Sequence, residues 1–192
     1  MPRLSDADKE ARRRRVLDGA RRCFARHGYE AATVVRLEEE IGLSRGAIFN
    51  WFPSKQELFL ALAAEDNGRL HELFTADGVE ALLDAILLHD PDWLAVYHEF
   101  GRLLRSDPEL RARWKEISPE GARERTLEWI ADGQAAGRLR SDVDPEDVGR
   151  FVGVIVDGVV VQRALGFEPP DRALLFRLLN AALAPQPESS SA

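Results

Sequence analysis

Residues 33–52 read TVVRLEEEIGLSRGAIFNWF, and their spacing predicts two short helices joined by a tight turn. Thr33 and Ser44 stand where helices can begin, because a hydroxyl oxygen accepts a hydrogen bond from an N–H group of the first turn. Gly42 can adopt the left-handed conformation that ends a helix. This order is the layout of a helix-turn-helix, in which the second helix can enter the major groove of DNA.

Apolar side chains give each of these two helices an inner side. The inward-facing residues are Val34, Leu37, Ile41, Leu43, Ile48, Phe49 and Phe52. On the outer side, Gly46 and Ala47 are small enough for a close approach to DNA, and Arg45 has the donor fork that suits a guanine edge. Thr33 and Lys55 stand at helix starts, where phosphate is the natural partner. The candidate DNA-binding residues are Thr33, Arg36, Ser44, Arg45, Gly46, Ala47, Asn50, Trp51 and Lys55.

Charge is unevenly distributed along the chain, although the total is -7. Residues 1–55 hold 12 Lys plus Arg against 8 Asp plus Glu, whereas residues 56–192 hold 14 against 25. A basic N-terminal region can meet phosphate, while the acidic remainder disfavours non-specific DNA binding. The arginine run 12–15 allows a second interpretation, in which it is only the solvated face of a helix.

Composition excludes several classes of protein. No stretch approaches the roughly 18 uncharged apolar residues that a membrane span needs, so no membrane partner is expected. The charged N-terminus lacks the apolar segment of a signal peptide, and we therefore expect a cytoplasmic protein. Cys23 is the single cysteine and lies on the apolar side of a predicted helix, which favours a place in the core.

Helical signals continue through the rest of the chain, and sustained strand-like alternation is not found, so we predict an all-α fold. Capping residues followed by proline mark four helix starts, at Asp90, Asp107, Ser118 and Asp144. Ser54 and Glu57 form a capping box. The expected helices span 8–27, 34–41, 45–51, 54–75, 79–88, 91–106, 108–117, 119–136, 145–166 and 170–183.

The segment 12–62 resembles the DNA-binding region of the tetracycline-repressor (TetR) family. The residues that carry the resemblance are Phe24, Gly28, Tyr29, Thr33, Gly42, Ser44, Gly46, Phe49, Phe52, Lys55 and Leu58. The resemblance implies a transcriptional repressor that binds a palindromic operator in double-stranded DNA as a homodimer, controlled by a small-molecule effector. It implies a three-helix DNA-binding domain at 1–53, a helical effector-binding and dimerisation domain at 54–184, and a disordered tail at 185–192.

Within that family, the stretches RRCFARHGYE, RLEE, SRGAIF and KQELFLALAAED are similar to the aconitase repressors. This similarity implies control of central carbon metabolism and a small carboxylate effector such as citrate, with Arg102 or Arg163 pairing its charge. Two positions depart from the family pattern: Phe49 stands where tyrosine is frequent, and Trp51 stands where histidine is common. The alternative is a regulator of neighbouring efflux or catabolic genes that responds to an apolar aromatic ligand.

The resemblance also implies an effector site and a dimer interface in the C-terminal domain. The candidate effector-binding residues are Trp93, Tyr97, Arg102, Trp129, Asp157 and Arg163. The candidate dimer-interface residues, which recur at helical spacing, are Val148, Phe151, Val152, Ile155, Val159, Leu175, Leu178 and Leu179. A monomer core would show the same spacing, and most large aromatic residues here would pack in it.

An enzyme and a scaffolding helical protein are the alternatives from other classes. The sequence has no P-loop, no Gly-x-Ser-x-Gly, no His-Glu-x-x-His and no paired cysteines. Its four histidines, His27, His71, His89 and His98, are scattered. We therefore expect no catalytic site, no metal and no cofactor.

Overall fold

A computed structural model describes residues 5–186, and this stretch of the chain is folded into nine helices without a strand. The helices are α1 (Asp6–Ala31), α2 (Val34–Ile41), α3 (Arg45–Phe49), α4 (Lys55–Leu87), α5 (Pro91–Ser106), α6 (Pro108–Glu116), α7 (Ala122–Ala135), α8 (Pro145–Ala164) and α9 (Arg172–Leu183). The all-α prediction is confirmed. Most of the expected tail, residues 187–192, lies outside the described residues.

Several predicted helix boundaries differ from the structure. The helix expected at 8–27 extends from Asp6 to Ala31 as α1, with Gly28 as a non-helical residue inside it. The helices expected at 54–75 and 79–88 are joined as α4, with Gly78 at φ 83° as a kink between them. The helix expected from Pro119 begins only at Ala122, because Gly121 stands before it in the left-handed conformation at φ 67°. Asp90, Asp107 and Asp144 cap their helices as predicted, each by accepting a backbone N–H of the first turn.

Two compact units divide the chain, and α4 runs through both. Among the described residues, the first comprises 5–69 and 89–119, and the second comprises 70–88 and 120–186. The expected functional boundary after residue 53 stays a prediction. In the first unit, aromatic rings from α1, α4 and α5 form the centre of the core, with ring centroids 4.2 Å apart for Phe59 and Phe100 and 5.0 Å apart for Tyr29 and Phe100.

Asp66 of α4 carries a buried carboxylate in this core, with 5% of the residue exposed. Arg21 of α1 donates two hydrogen bonds to it at 2.8 Å, and its guanidinium lies 4.5 Å from the Trp93 ring centre. From α5, the Trp93 indole N–H and the Tyr97 hydroxyl donate to the same carboxylate at 2.8 and 3.1 Å. One acidic group therefore joins three helices.

The charge state of Asp66 follows from these contacts. Burial by itself raises the pKa of its carboxyl, but the hydrogen bonds and charge of Arg21, with the hydrogen bonds of Trp93 and Tyr97, outweigh burial and lower the pKa. The carboxylate is thus ionised in the folded protein at neutral pH.

The second unit has a separate apolar core. Its buried members are Phe74, Val79, Leu83, Ile86, Ile130, Val148, Val152, Val159, Leu175, Phe176, Leu179 and Leu183. Arg172 pairs with Asp84, and Asn180 donates to Glu80, so polar contacts also fasten α9 to α4. Across residues 5–186, no helix is long and apolar enough to cross a membrane.

We predict that Asp66→Ala destabilises the protein by about 3 kcal/mol, because it leaves the partly buried Arg21 without its carboxylate. Urea unfolding followed by circular dichroism measures the loss. Glu65→Ala is the matched control: the neighbouring Glu65 pairs with Arg13 and Arg14 nearer the surface, where removal costs about 0–1 kcal/mol. Equal losses for the two variants would contradict the prediction.

Acid should remove the same stabilisation. Because folding lowers the pKa of Asp66, its contribution is fully present above the ordinary Asp pKa of about 3.9 and is lost as the pH falls through the lowered value. Asp66→Asn lacks this titration, so its unfolding free energy should fall less steeply in acid.

Candidate DNA-binding site

Side-chain caps define α2 and α3 as the sequence predicts. Thr33 caps α2 by accepting the Arg36 backbone N–H at 3.4 Å, and Ser44 caps α3 by accepting that of Ala47 at 3.4 Å. Gly42 ends α2 in the left-handed conformation at φ 69°. The helix-turn-helix geometry is therefore formed by local hydrogen bonds and one glycine.

The inner sides of these helices are buried, and that of α2 packs against α1. Leu37, Ile41 and Ile48 are all buried. A Cβ added at Gly19 of α1 would lie 2.7 Å from the Ile41 side chain, so α2 packs against α1 at a distance that only glycine permits. This packing turns the remaining faces of α2 and α3 toward solvent.

The outer side holds most of the candidate DNA-binding residues. Thr33, Arg36, Ser44, Arg45, Gly46 and Asn50 are exposed, while Ala47, Trp51 and Lys55 are half-buried. The Arg45 guanidinium carbon lies 5.9 Å from the Phe49 ring centre, one turn along α3. Arg36 donates to the Ala31 carbonyl at 2.8 Å. A contact between any of these residues and DNA stays a prediction.

Three arginines of α1 contact α2 or the glycine after it, and only one of them, Arg15, belongs to the run 12–15. Arg15 donates to the carbonyls of Ile41 and Gly42 at 3.1 Å each, which caps the C-terminus of α2. Arg22 and Arg26 pair with Glu40 of α2 at 3.0 and 2.7 Å. We call residues 33–52 the DNA-binding head. The basic helix α1 therefore positions this head and also adds positive charge next to it.

Lys55, expected at a phosphate, has partners within the protein. Its ammonium donates to the carbonyls of Tyr29 and Glu30 at 2.8 and 3.3 Å and lies 4.4 Å from the Tyr29 ring centre. Burial lowers the pKa of Lys55. The side chain thus fastens the start of α4 to the segment before α2, and its phosphate contact stays a prediction.

Glu99 of α5 holds the same segment by its N–H groups, a role that the sequence did not predict. Its carboxylate accepts the backbone N–H groups of Tyr29 and Glu30 at 2.8 and 3.4 Å. Gly28 has φ 76° and ψ 166°, and a Cβ there would lie 2.5 Å from a Glu99 oxygen. In the sequence, Gly28 indicates an unusual backbone conformation at this point. It does not indicate that a carboxylate about 70 residues away accepts the neighbouring N–H groups.

The structure does not bring the candidate effector residues together in one unit. Trp93, Tyr97 and Arg102 belong to the first unit, and Trp129, Asp157 and Arg163 belong to the second. Trp93 and Tyr97 already donate to Asp66, which gives both a packing role. Trp129 packs on Phe74 with ring centres 4.8 Å apart.

The candidate dimer residues divide by burial. Val148, Val152, Val159, Leu175 and Leu179 are buried within the second unit as part of its core, and their place at a dimer interface stays a prediction. Ile155 is partly buried, whereas Phe151 and Leu178 are exposed. Helices α8 and α9 have two apolar faces, and helical spacing alone did not separate the inner face from the outer one.

Comparison with known proteins identifies the family. The profile described as "Bacterial regulatory proteins, tetR family" matches residues 16–62, and the profile described as "BetI-type transcriptional repressor, C-terminal" matches residues 75–186, more than half of the chain. The chain belongs to the TetR family of transcriptional regulators. The predicted family is thereby confirmed, as is the expectation of a regulator in place of an enzyme.

Curated relatives of this TetR-family chain are named as repressors. It is 42% identical over 183 residues to the HTH-type transcriptional repressor Rv1474c of Mycobacterium tuberculosis, covering 94% of this chain and 97% of that protein. It is 42% identical over 168 residues to the HTH-type transcriptional repressor AcnR of Corynebacterium diphtheriae, covering 86% and 88%. The expected similarity to the aconitase-repressor subgroup is confirmed.

Solved structures of lower identity share the fold. Salmonella enterica GusR superposes with a TM-score of 0.73 at 23% identity, over 95% of this chain and 99% of that one. The Bacillus subtilis regulator FadR in complex with stearoyl-CoA superposes with a TM-score of 0.64 at 20% identity, over 88% and 97%.

We predict that Gly28→Ala destabilises the protein by about 2–3 kcal/mol, because its φ and ψ lie in a region that only glycine adopts without strain. Gly68→Ala in α4, where an added Cβ meets nothing within 4 Å, should instead stabilise the protein by about 0.5–1 kcal/mol. Thermal unfolding measures both. The added Cβ would also clash with the Glu99 carboxylate, so part of the stability lost in Gly28→Ala should return when Glu99 is replaced by alanine in the same protein. If the losses of the two single variants simply add in the double variant, the clash is contradicted.

Proposed function

We propose that this repressor binds a palindromic operator as a homodimer and releases it when a small-molecule effector binds its C-terminal domain. The observation that carries the proposal is the outer side of α3, where Arg45, Gly46 and Asn50 are exposed while Ile48 anchors the helix in the core. An exposed helix of this kind can read base edges in the major groove. The proposed place of action is the cytoplasm, where operator DNA would be found.

The proposed dimer interface is the outer apolar face of the second unit. Large apolar side chains at spacings of three, seven and four residues are exposed along α8 and just beyond it: Phe151, Val154, Val161 and Leu165. Val154 is 69% exposed, and Leu178 on α9 is 59% exposed. A Cβ at Gly158, between these side chains, would meet nothing within 4 Å. A contiguous apolar face with a central glycine suits close packing of α8 against its copy.

The proposed effector is a small carboxylate such as citrate. The sequence resemblance to aconitase repressors motivates this class, with Arg102 or Arg163 as the candidate cation. Such a ligand releases DNA only if it binds the DNA-free conformation more tightly. Release of a bound duplex by citrate, with sodium chloride of equal ionic strength as the control, tests this aspect of the proposal.

We predict that Arg45→Ala costs about 1–3 kcal/mol on the operator and relaxes preference at one base position. The probe is the duplex that the unaltered protein enriches from a random-sequence library, compared with a scrambled duplex by fluorescence anisotropy. Arg45→Lys keeps the charge without the bidentate fork, so it should keep affinity for scrambled DNA and lose preference for the operator. Equal losses on the two duplexes for Arg45→Ala would mean that Arg45 contacts phosphate.

We predict that Val154→Asp yields a folded monomer that binds the operator poorly, because it places a charge in the proposed interface without disturbing the core. Light scattering measures the mass, and circular dichroism measures the fold. Val159→Asp is the contrasting variant: Val159 is 5% exposed, so this change should unfold the second unit. A Val154→Asp protein that remains dimeric would move the interface elsewhere.

A further inference from the structure

Three consecutive acidic residues, Glu38, Glu39 and Glu40, lie on α2 of the DNA-binding head, where negative charge opposes binding to phosphate. Glu40 has a clear role, since it pairs with two arginines of α1. Glu38 has a different contact. Its carboxylate accepts the backbone N–H of Arg45, the first residue of α3, at 2.6 Å.

This contact crosses the turn and joins α2 directly to the first residue of α3. The first N–H groups of any helix lack partners inside it, and α3 has only five residues. Ser44 satisfies the N–H of Ala47 from within the same turn. Glu38 satisfies that of Arg45 from the other helix, so its hydrogen bond fixes where α3 begins relative to α2.

We propose that Glu38 is a positioning residue for operator recognition. Its carboxylate holds the first turn of α3 in the orientation that presents Arg45, Gly46 and Asn50 to the groove. The inference rests on the operator binding proposed above. It predicts two opposite effects of one side chain: the hydrogen bond strengthens binding to the operator, while the charge weakens binding to any DNA.

The size of the first effect follows from the kind of bond. A carboxylate that accepts a backbone N–H forms a charge-assisted hydrogen bond, which is stronger than a neutral one. Base edges are recognised through hydrogen bonds that weaken steeply with distance and angle. A shift of the first turn of α3 should therefore weaken binding to the operator. Contacts with the phosphate backbone, which do not depend on sequence, should tolerate the shift.

Three variants separate the hydrogen bond from the charge. Glu38→Ala removes both, Glu38→Gln keeps an oxygen acceptor without the charge, and Glu39→Ala removes the same charge from the neighbouring position. Each is titrated against the duplex enriched by the unaltered protein and against a scrambled duplex at one salt concentration.

We expect Glu38→Ala to weaken operator binding about tenfold while it binds scrambled DNA at least as well as the unaltered protein. Glu39→Ala should tighten binding to both duplexes. Glu38→Gln should bind the operator within roughly threefold of the unaltered protein. Equal changes in operator affinity for Glu38→Ala and Glu39→Ala would overturn the proposal, as would a loss for Glu38→Gln as large as that for Glu38→Ala.

Amide hydrogen exchange of the DNA-free protein provides an independent measurement. The Arg45 amide should exchange faster in Glu38→Ala than in Glu39→Ala, and equal protection would overturn the proposal. If the unaltered protein enriches no duplex, operator binding itself is contradicted, and that result differs from any failure of Glu38.

Discussion

The carboxylate of Asp66 imposes the constraint on which the first unit depends. An ionised carboxylate buried in an apolar core is strongly unfavourable unless charged and polar partners surround it. Here the partners come from α1 and α5, while Asp66 itself lies on α4. A shift of any one of these three helices would therefore weaken a hydrogen bond to a buried charge. The aromatic core packs around this arrangement without determining it alone.

The DNA-binding head depends on the same three helices. With eight and five residues, α2 and α3 are too short to be stable by themselves. Charged side chains fasten them and the preceding segment: Arg15 from α1, Lys55 from α4 and Glu99 from α5. Lys55 and Glu99 hold the carbonyl and N–H groups of the same two residues. The position of the head is thus set by side chains from every helix that Asp66 joins.

Local features of the fold could be predicted from the sequence, because the interacting residues are close in the chain. Thr33 and Ser44 each cap a backbone N–H three residues away, and Gly42 ends α2 where expected. Contacts over long separations could not be predicted. Nothing near Glu99 indicates that it accepts N–H groups 69 and 70 positions earlier.

Helix α8 shows a second limit of prediction from sequence, since its apolar residues cover two faces and a period of 3.6 residues describes both equally well. Only the three-dimensional packing shows that Val152 and Val159 lie inside while Val154 lies outside.

The charges of the head show why counting charge along the sequence describes a DNA-binding surface poorly. Residues 1–55 are basic overall, yet Arg22 and Arg26 both pair with the Glu40 carboxylate within the protein. Pairing does not remove these side chains from DNA binding, since a guanidinium has five N–H donors and one carboxylate accepts only some of them. It does change what they contribute. An arginine paired with a carboxylate approaches phosphate with that negative charge beside it, so the pair releases fewer counterions than the count of arginines implies. The electrostatic contribution to DNA affinity should therefore be smaller than the basic composition suggests, which leaves more of the discrimination to the orientation of α3.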